Sequence, residues 1–494
     1  NATATIGNDK ITTFAISSGG LSIPIVVTSV LQAGIIDTSA DNGNQRYGCA
    51  VQIGWKPSAF MAGNGTITFA STVDSSKNGI TDPSMGLTIS SGNVIFEGNV
   101  TTTGDIIVAD GTTTIASACT LTAAGHGIAG STRTGGCQSY NGAVILQADV
   151  MFKSFSPMSF SSTITGAHTL TLQRYNANAN PAATVGGDIS VSSLVIGETA
   201  SLTPAASSTI TLSGDFTNNG TFTHNNSTVT FTDSSTQSTI YGSSIFHNFT
   251  CTTAGKTLAF EAGKTQTVRG AFTITGASDG NTVTPVTLQS SSSDSEWTIT
   301  SPATERDTAT VRYAVIKDSK STNQYLTALD STSGGNNTNW LFAGVHTWTG
   351  EAGTSDWINA RNWKENDVPA RYADVVIPAV TANVYPVVPD AGVTIESLTV
   401  GAAGVTAPSV TLDAGNITLE AESAPLTNYG TIIYKGSGRI MDSDATPAAR
   451  NDTAHAGWVE YAGASTVTDF ASDTIADYAN LRISRAAALG GDIV

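Results

Sequence analysis

The segment FTNNGTF (Phe216 to Phe222) returns 210 residues later as LTNYGTI (Leu426 to Ile432). Each copy reads as a strand, an Asn-Gly-type turn and a second strand, with an apolar residue at both ends. A unit like this has no amphipathic helix to pack on. A chain that repeats it must bury each copy against its neighbours. That need constrains the fold more than any other feature of the sequence.

The heptapeptide belongs to a larger duplication. SSLVIG at Ser192 matches ESLTVG at Glu396, and FHNFTC at Phe246 matches YANLRI at Tyr478. The three matches keep their order while their spacing drifts from 204 to 232 residues, as insertions between rungs would cause. Nearer the start, ITFASTV at Ile67 and MSFSSTI at Met158 lie 91 residues apart, followed by GLTI at Gly86 and HTLTL at His168. Helical periodicity is nearly absent. Apolar residues alternate at i, i+2, and Gly, Asn, Asp or Ser clusters punctuate them.

The expected fold is therefore all-β: an elongated parallel β-solenoid (β-helix) in stacked sections. Roughly 20 to 25 residues per coil, with coils ~4.8 Å apart, would give a rod on the order of 100 Å. Phe249, Cys251, Phe260, Leu481 and Ile483 are expected to point inward. The alternative is a string of tandem antiparallel β-sandwich domains, which the 91-residue offset keeps open. The repeats suggest three sections: residues 1–185 with the 91-residue repeat, 186–343 with the first copy of the large repeat, and 344–494. The last holds a Trp-rich junction and a truncated second copy. Because that copy stops in mid-repeat, the chain is expected to belong to a longer assembly, self-associating into a filament.

Charge narrows the function classes. Only 12% of residues are charged, against roughly 25% in ordinary domains. The net charge of -17 disfavours nucleic acid as a partner, since phosphates need Lys and Arg to neutralise them. No window reaches the roughly 18 apolar residues of a membrane helix, so no transmembrane segment is expected. None of the four cysteines has CxxC spacing. Cys119 and Cys137 are expected to close a loop as a disulfide. Cys251 reads as a small core residue.

Candidate sites are few. Trp340, Trp348, Trp357 and Trp363 place four of the seven tryptophans in one short stretch. Trp348, Trp357 and Trp363 are candidates either for contact with a carbohydrate ligand or for a junction plug between sections. The plug is preferred because their spacing defines no consistent strand face. Carboxylates at Asp442 to Asp444, with Asn451 to Thr453, could supply oxygen ligands to Ca²⁺, although no calcium motif is complete and no cofactor is expected. An enzyme is not expected. The six histidines are scattered, Asp105, Asp149 and Asp188 fall in unrelated contexts, and no GxSxG, HExxH or P-loop occurs.

QSYNGAVILQADV at Gln138 and GGDISVSSLVIGETASL at Gly186 resemble the repeats of filamentous-haemagglutinin-type and autotransporter-like bacterial surface proteins. The run from Ser213 through GAFTITG resembles repeats of giant β-helical surface proteins of spirochaetes and other Gram-negative bacteria. Trp348 to Pro378 resembles a module of the same giant proteins. Together these cover most of the chain. The resemblance implies secretion to the bacterial surface and a structural role as rod, stalk or filament, with carbohydrate- or matrix-binding adhesion as the alternative.

Overall fold

The computed structural model describes residues 13–15, 21–23, 29–31, 35–37, 39, 44–462 and 480–484. Within 44–462 it leaves out 49, 54–57, 76–84, 126–134, 280–281, 303–309, 323–325, 382, 405–407, 421–425, 438–439 and 443–456. The chain divides into two compact units, one of residues 1–274 with 286–302, the other of 275–285 with 303–494. Each is built from parallel strands hydrogen-bonded to the strands one coil before and one coil after, which makes each a parallel β-solenoid.

In the first unit the strands fall on three faces, visited in the same order on every coil. Face A carries Ile189–Ile196 at its start, Thr209–Leu212, Thr228–Phe231 and Asn248–Cys251. Face B carries the end of Ile189–Ile196, then Phe216–Asn218, Ser238–Tyr241 and Thr257–Phe260. Face C carries Ala182–Val185, Ser201–Pro204 and Thr221–Phe222. Its later strands Ser244–Phe246, Thr265–Val268 and Trp297–Thr300 pair among themselves. Phe249 lies opposite Val229 on one side and Phe272 on the other, steps of 20 and 23 residues.

Period-2 patterning fixes which side faces in. Thr209–Leu212 (TITL) and Thr228–Phe231 (TVTF) alternate half-buried Thr with fully buried Ile, Leu, Val or Phe. Residues i and i+2 of a strand share a face, so one face of each strand is dry. Phe249, Cys251 and Phe260 all point into this core, as expected. Each large apolar side chain removed from water contributes about 2–3 kcal/mol.

The 91-residue offset has a structural counterpart with a twist. Gln45, Tyr47, Phe60 and Phe69 form an inward cluster in which the Tyr47 hydroxyl donates to Gln45 Oε1 at 2.8 Å. Gln138, Tyr140, Phe152 and Phe160 reproduce it, down to the 2.8 Å bond from Tyr140 to Gln138 Oε1. The first Tyr sits on face A and pairs with Phe69, whereas the second sits on face C and pairs with Phe160. The motif has been reused one face round.

In the second unit, three ladders again build the coils. One runs Ala373–Ile377, Ser397–Val400, Leu426–Asn428. Another runs Val393–Ile395, Ile417–Leu419, Ile440–Asp442. The third runs Ser409–Leu412, Thr431–Tyr434, Trp458–Tyr461, Asn480–Ile483. Leu481 and Ile483 lie in register with the buried Val459 and Tyr461, but their side chains fall outside the described residues. An exposed antiparallel hairpin, Ala277–Ser278 with Val283–Thr284, is held to this unit by Gly276 N–H donating to Arg312 O.

The duplicated heptapeptide is not a hairpin. In both copies its turn is a corner that carries the chain from one face to the next. Leu194 pairs with Phe216 and Ile196 with Asn218; equivalently, Leu398 pairs with Leu426 and Val400 with Asn428. The third sequence match does not hold in space. Phe249 lies on face A, whereas Leu481 extends the ladder through Ile432, which corresponds to face C.

Candidate functional site: the tryptophan-rich coil and the corner residues

Strand Trp340–Thr347 leads into an excursion that returns at Ala373–Ile377. Within it the chain makes a rudimentary coil. Trp348 bridges Trp363 antiparallel, and Asp356 bridges Val387, which in turn bridges Thr411. Asn362, fully buried at the end of a short 3-10 turn, knits the loop together. Its side-chain amide donates to Thr354 Oγ1 and Asp356 O, its Oδ1 accepts from Ala352 N–H, and its backbone carbonyl accepts from Thr349 and Gly350. Thr, Gly and Asn are the residues such a turn needs, because their side chains or backbone freedom satisfy groups that no ladder reaches.

The three indoles fill the inside of this coil. Trp348 and Trp357 are 0% exposed and Trp363 is 2%. Trp363 meets Trp348 and Trp357 edge to face, both with ring centroids 5.0 Å apart. Trp348 Nε1–H donates to Val384 O and Trp363 Nε1–H to Trp357 O, each at 2.8 Å. All three belong to the apolar cluster that runs on through Leu398 and Ile432 to Tyr461. Their ring faces are taken up by protein, so the expected glycan contact at Trp348, Trp357 and Trp363 has no exposed ring to make it. Trp340 is also buried, its Nε1–H on Ser319 Oγ. The spacing W-x8-W-x5-W defines no strand face because the segment is an irregular coil.

The expected Cys119–Cys137 disulfide is absent: both thiols are free. Cys119 opens Cys119–Ala123 on face B, pointing inward, where burial pushes its thiol up to about 11. Cys137 precedes Gln138–Tyr140 on face C, with its N–H held by Asp105 Oδ1 at 2.9 Å. Its thiol is also raised, by burial first and by the Asp105 carboxylate second, with Ser156 opposing. Two different faces aim the two side chains differently. The proposed calcium ligands Asp444 and Asn451 to Thr453 lie outside the described residues, as does the Asp442 side chain. Among the described residues no three His, Cys, Asp or Glu groups come together as a metal set, and no helix is long and apolar enough to cross a membrane.

Asp105, Asp149 and Asp188, which the sequence leaves in unrelated contexts, share one task. Each stands immediately before a strand. Its backbone carbonyl accepts from the preceding coil (Leu87, Cys119 and Ile164 N–H), and its Oδ1 accepts from the following coil (Cys137, Thr169 and Thr209 N–H). Asn99 and Asp215 repeat the arrangement with Val73 and Thr120, and with Leu194 and Thr239. One residue thus ties three coils, with side-chain bonds of 2.7–2.9 Å. The signal was present as Asp or Asn directly followed by an apolar residue: Val100, Ile106, Val150, Ile189 and Phe216.

Lys256 is a residue the sequence does not flag. It is fully buried, and its Nζ donates to the carbonyls of Ser213, Asp233 and Thr236 at 2.8–2.9 Å. Burial pulls its pKa below the usual lysine value, while Cys251, Asp233 and Asp215 act the other way. The ammonium donates to three carbonyls at once, one hydrogen bond for each of its protons. In the second unit, His346 is buried, and burial raises the Asp367 carboxyl, with the Val368 N–H and then His346 pulling it down.

No family model, curated protein or solved structure matches the chain.

Proposed function

We propose that this chain is an extracellular bacterial structural protein that forms a surface rod, stalk or filament by stacking β-solenoid coils. The observation that carries this reading is the shared register of the duplicated segment, Leu194 on Phe216 and Leu398 on Leu426. Repetition at the level of sequence is used to repeat a stacking contact. The polar residues that a catalyst would need are spent on the same purpose. Corner Asp and Asn tie coils together, Lys256 caps backbone carbonyls, and Asn362 holds the Trp-rich loop. A hydroxyl-rich, weakly charged surface with a net charge of -17 suits a protein that works outside the cell without collapsing onto its neighbours.

Sedimentation of the purified protein, followed by negative-stain imaging, tests the reading. Concentration-dependent growth into filaments supports it. A monodisperse monomer at every concentration, together with turnover of a polysaccharide, would remove it.

A further inference from the structure

The corner that leads from face C to face A has an unusual charge pattern. On three consecutive coils it carries His224, His247 and Arg269. His224 lies between Thr221–Phe222 and Thr228–Phe231, and His247 between Ser244–Phe246 and Asn248–Cys251. Arg269 directly follows Thr265–Val268. Backbone bonds keep the three in step, with Arg269 N–H donating to Phe246 O and Gly270 N–H to His247 O. The two imidazoles stack with centroids 5.6 Å apart and planes 27° apart. Gly270 lies against the far side: a Cβ there would stand 3.2 Å from His247 Nε2.

On the coils of His224, His247 and Arg269 the described acidic groups lie on the other two corners, while residues 303–309, which include Glu305, Arg306 and Asp307, lie outside the described residues. Asp215 and Asp233 sit on the A-to-B corner, and Glu261 and Glu296 on the B-to-C corner. The preceding coil turns this corner through Pro204 to Ser208 without a charge. Asp188 lies on the same corner two coils away, with one carboxylate oxygen engaged by Thr209 N–H. The neighbouring side chains that act electrostatically on His224 are His247 and Arg269. In a chain with 39 acidic and 22 basic residues, such a row stands against the average.

The His224 ring is also oriented. Asn225 and Asn226 adopt left-handed backbone angles (φ 43° and 59°), and Asn226 N–H donates to His224 Nδ1 at 3.1 Å. In the neutral ring the proton therefore resides on Nε2, which is a donor at either charge state. Burial, then His247, then Arg269 hold the His224 pKa below the usual histidine value. A bound anion would offset the repulsion among the three cations.

We propose that this corner binds an acidic polysaccharide laid along the coil stack, and that binding tightens as the two imidazoles take up protons. Basic side chains on successive coils recur at ~4.8 Å, so a linear polyanion laid along the stack can meet several of them at once, which an isolated small anion cannot. The inference does not depend on filament formation, so failure of the structural reading leaves it standing.

Fluorescence anisotropy of a labelled oligogalacturonate against the full chain, at about pH 5 and about pH 7.5 in low salt, tests it. Binding at least about fivefold tighter at the lower pH is expected. The His224→Gln, His247→Gln double variant should lose that difference, and Arg269→Gln should weaken binding at both pH values. Competition by neutral dextran, equal binding at the two pH values, or a folded double variant that keeps the pH dependence would overturn the proposal. So would single-stranded DNA competing as well as the uronate chain, because it would show undirected attraction of polyanions.

Discussion

The two copies of the duplicated segment do the same job with different means. In the first, Leu194 to Phe216 closes a coil step of 22 residues; in the second, Leu398 to Leu426 takes 28. Gly197 N–H to Leu172 O and Gly401 N–H to Ile377 O mark the same position in each. After the insertion the register resumes unchanged. Asn219 N–H reaches Ile196 O as Tyr429 N–H reaches Val400 O. Both copies then bury an Asn whose side-chain amide donates into the next coil, Asn218 to Ser244 Oγ and Asn428 to Trp458 O.

What differs is the stitching. Ser193 Oγ accepts from Asp215 N–H on the following coil, while its counterpart Ser397 donates back to Asp374 on the preceding one. Asp215 stands before Phe216, but the second copy has Pro425 before Leu426. Lys256 spans coils of the first copy. Backbone register is thus the retained quantity, and the side chains that secure it vary freely. This is expected where each coil touches only its neighbours.

Core truncation should affect both copies most. Phe216→Ala is expected to cost about 4 kcal/mol and Leu426→Ala about 3 kcal/mol, read as a lowered calorimetric transition. Phe216 touches Phe222 and Phe246, so its cavity is lined by rings that cannot collapse into it. Equal losses of under about 1 kcal/mol would mean the copies do not share a packed core. Next, Lys256→Met should cost the first copy about 3 kcal/mol, because three carbonyls lose a charged donor. A neutral result in chemical denaturation would show that those carbonyls find other partners.

How much of this was legible beforehand follows from what a strand pattern encodes. Alternation in TITL and TVTF shows which side chains are buried, and so gives an all-β chain with coils near the expected length. It does not say which of three faces a strand joins, since each face asks for the same apolar-x-apolar pattern. That is why FHNFTC and YANLRI match in sequence yet sit on different faces, and why the Gln-Tyr cluster moves round by one. Trp348, Trp357 and Trp363, read from the sequence as a junction plug or glycan contact, could not be given a strand face because an irregular coil has no period. Cys119 and Cys137 looked pairable along the chain, but face geometry separates them. Lys256, His224 and His247 needed the coil step before their neighbours could be named.

Smaller effects sharpen the comparison. A Cβ at Gly220 would stand 2.2 Å from Ala200 O, and one at Gly430 would stand 2.3 Å from Pro408 O. Gly220→Ala and Gly430→Ala should therefore destabilise alike, by about 2 kcal/mol, as inserted atoms do in a tight core. Unequal losses in thermal melts would show that the two corners are not equivalent. Asp215→Ala removes one half-buried corner bond to Thr239 N–H and should cost about 1 kcal/mol. Faster amide exchange at Thr239 is the accompanying readout.

The central claim, one register shared by two copies of unequal length, is tested most directly by engineered disulfides. Val195 pairs with Thr217, and Thr399 with Thr427, on neighbouring parallel strands. Strands about 4.8 Å apart lie within disulfide reach. The doubles Val195→Cys with Thr217→Cys and Thr399→Cys with Thr427→Cys should both oxidise to near completion under mild oxidant, as read by mass spectrometry. Controls shifted by one residue, Val195→Cys with Asn218→Cys and Thr399→Cys with Asn428→Cys, should stay reduced. Cross-linking of one copy alone, or of shifted and unshifted pairs equally, would contradict the account.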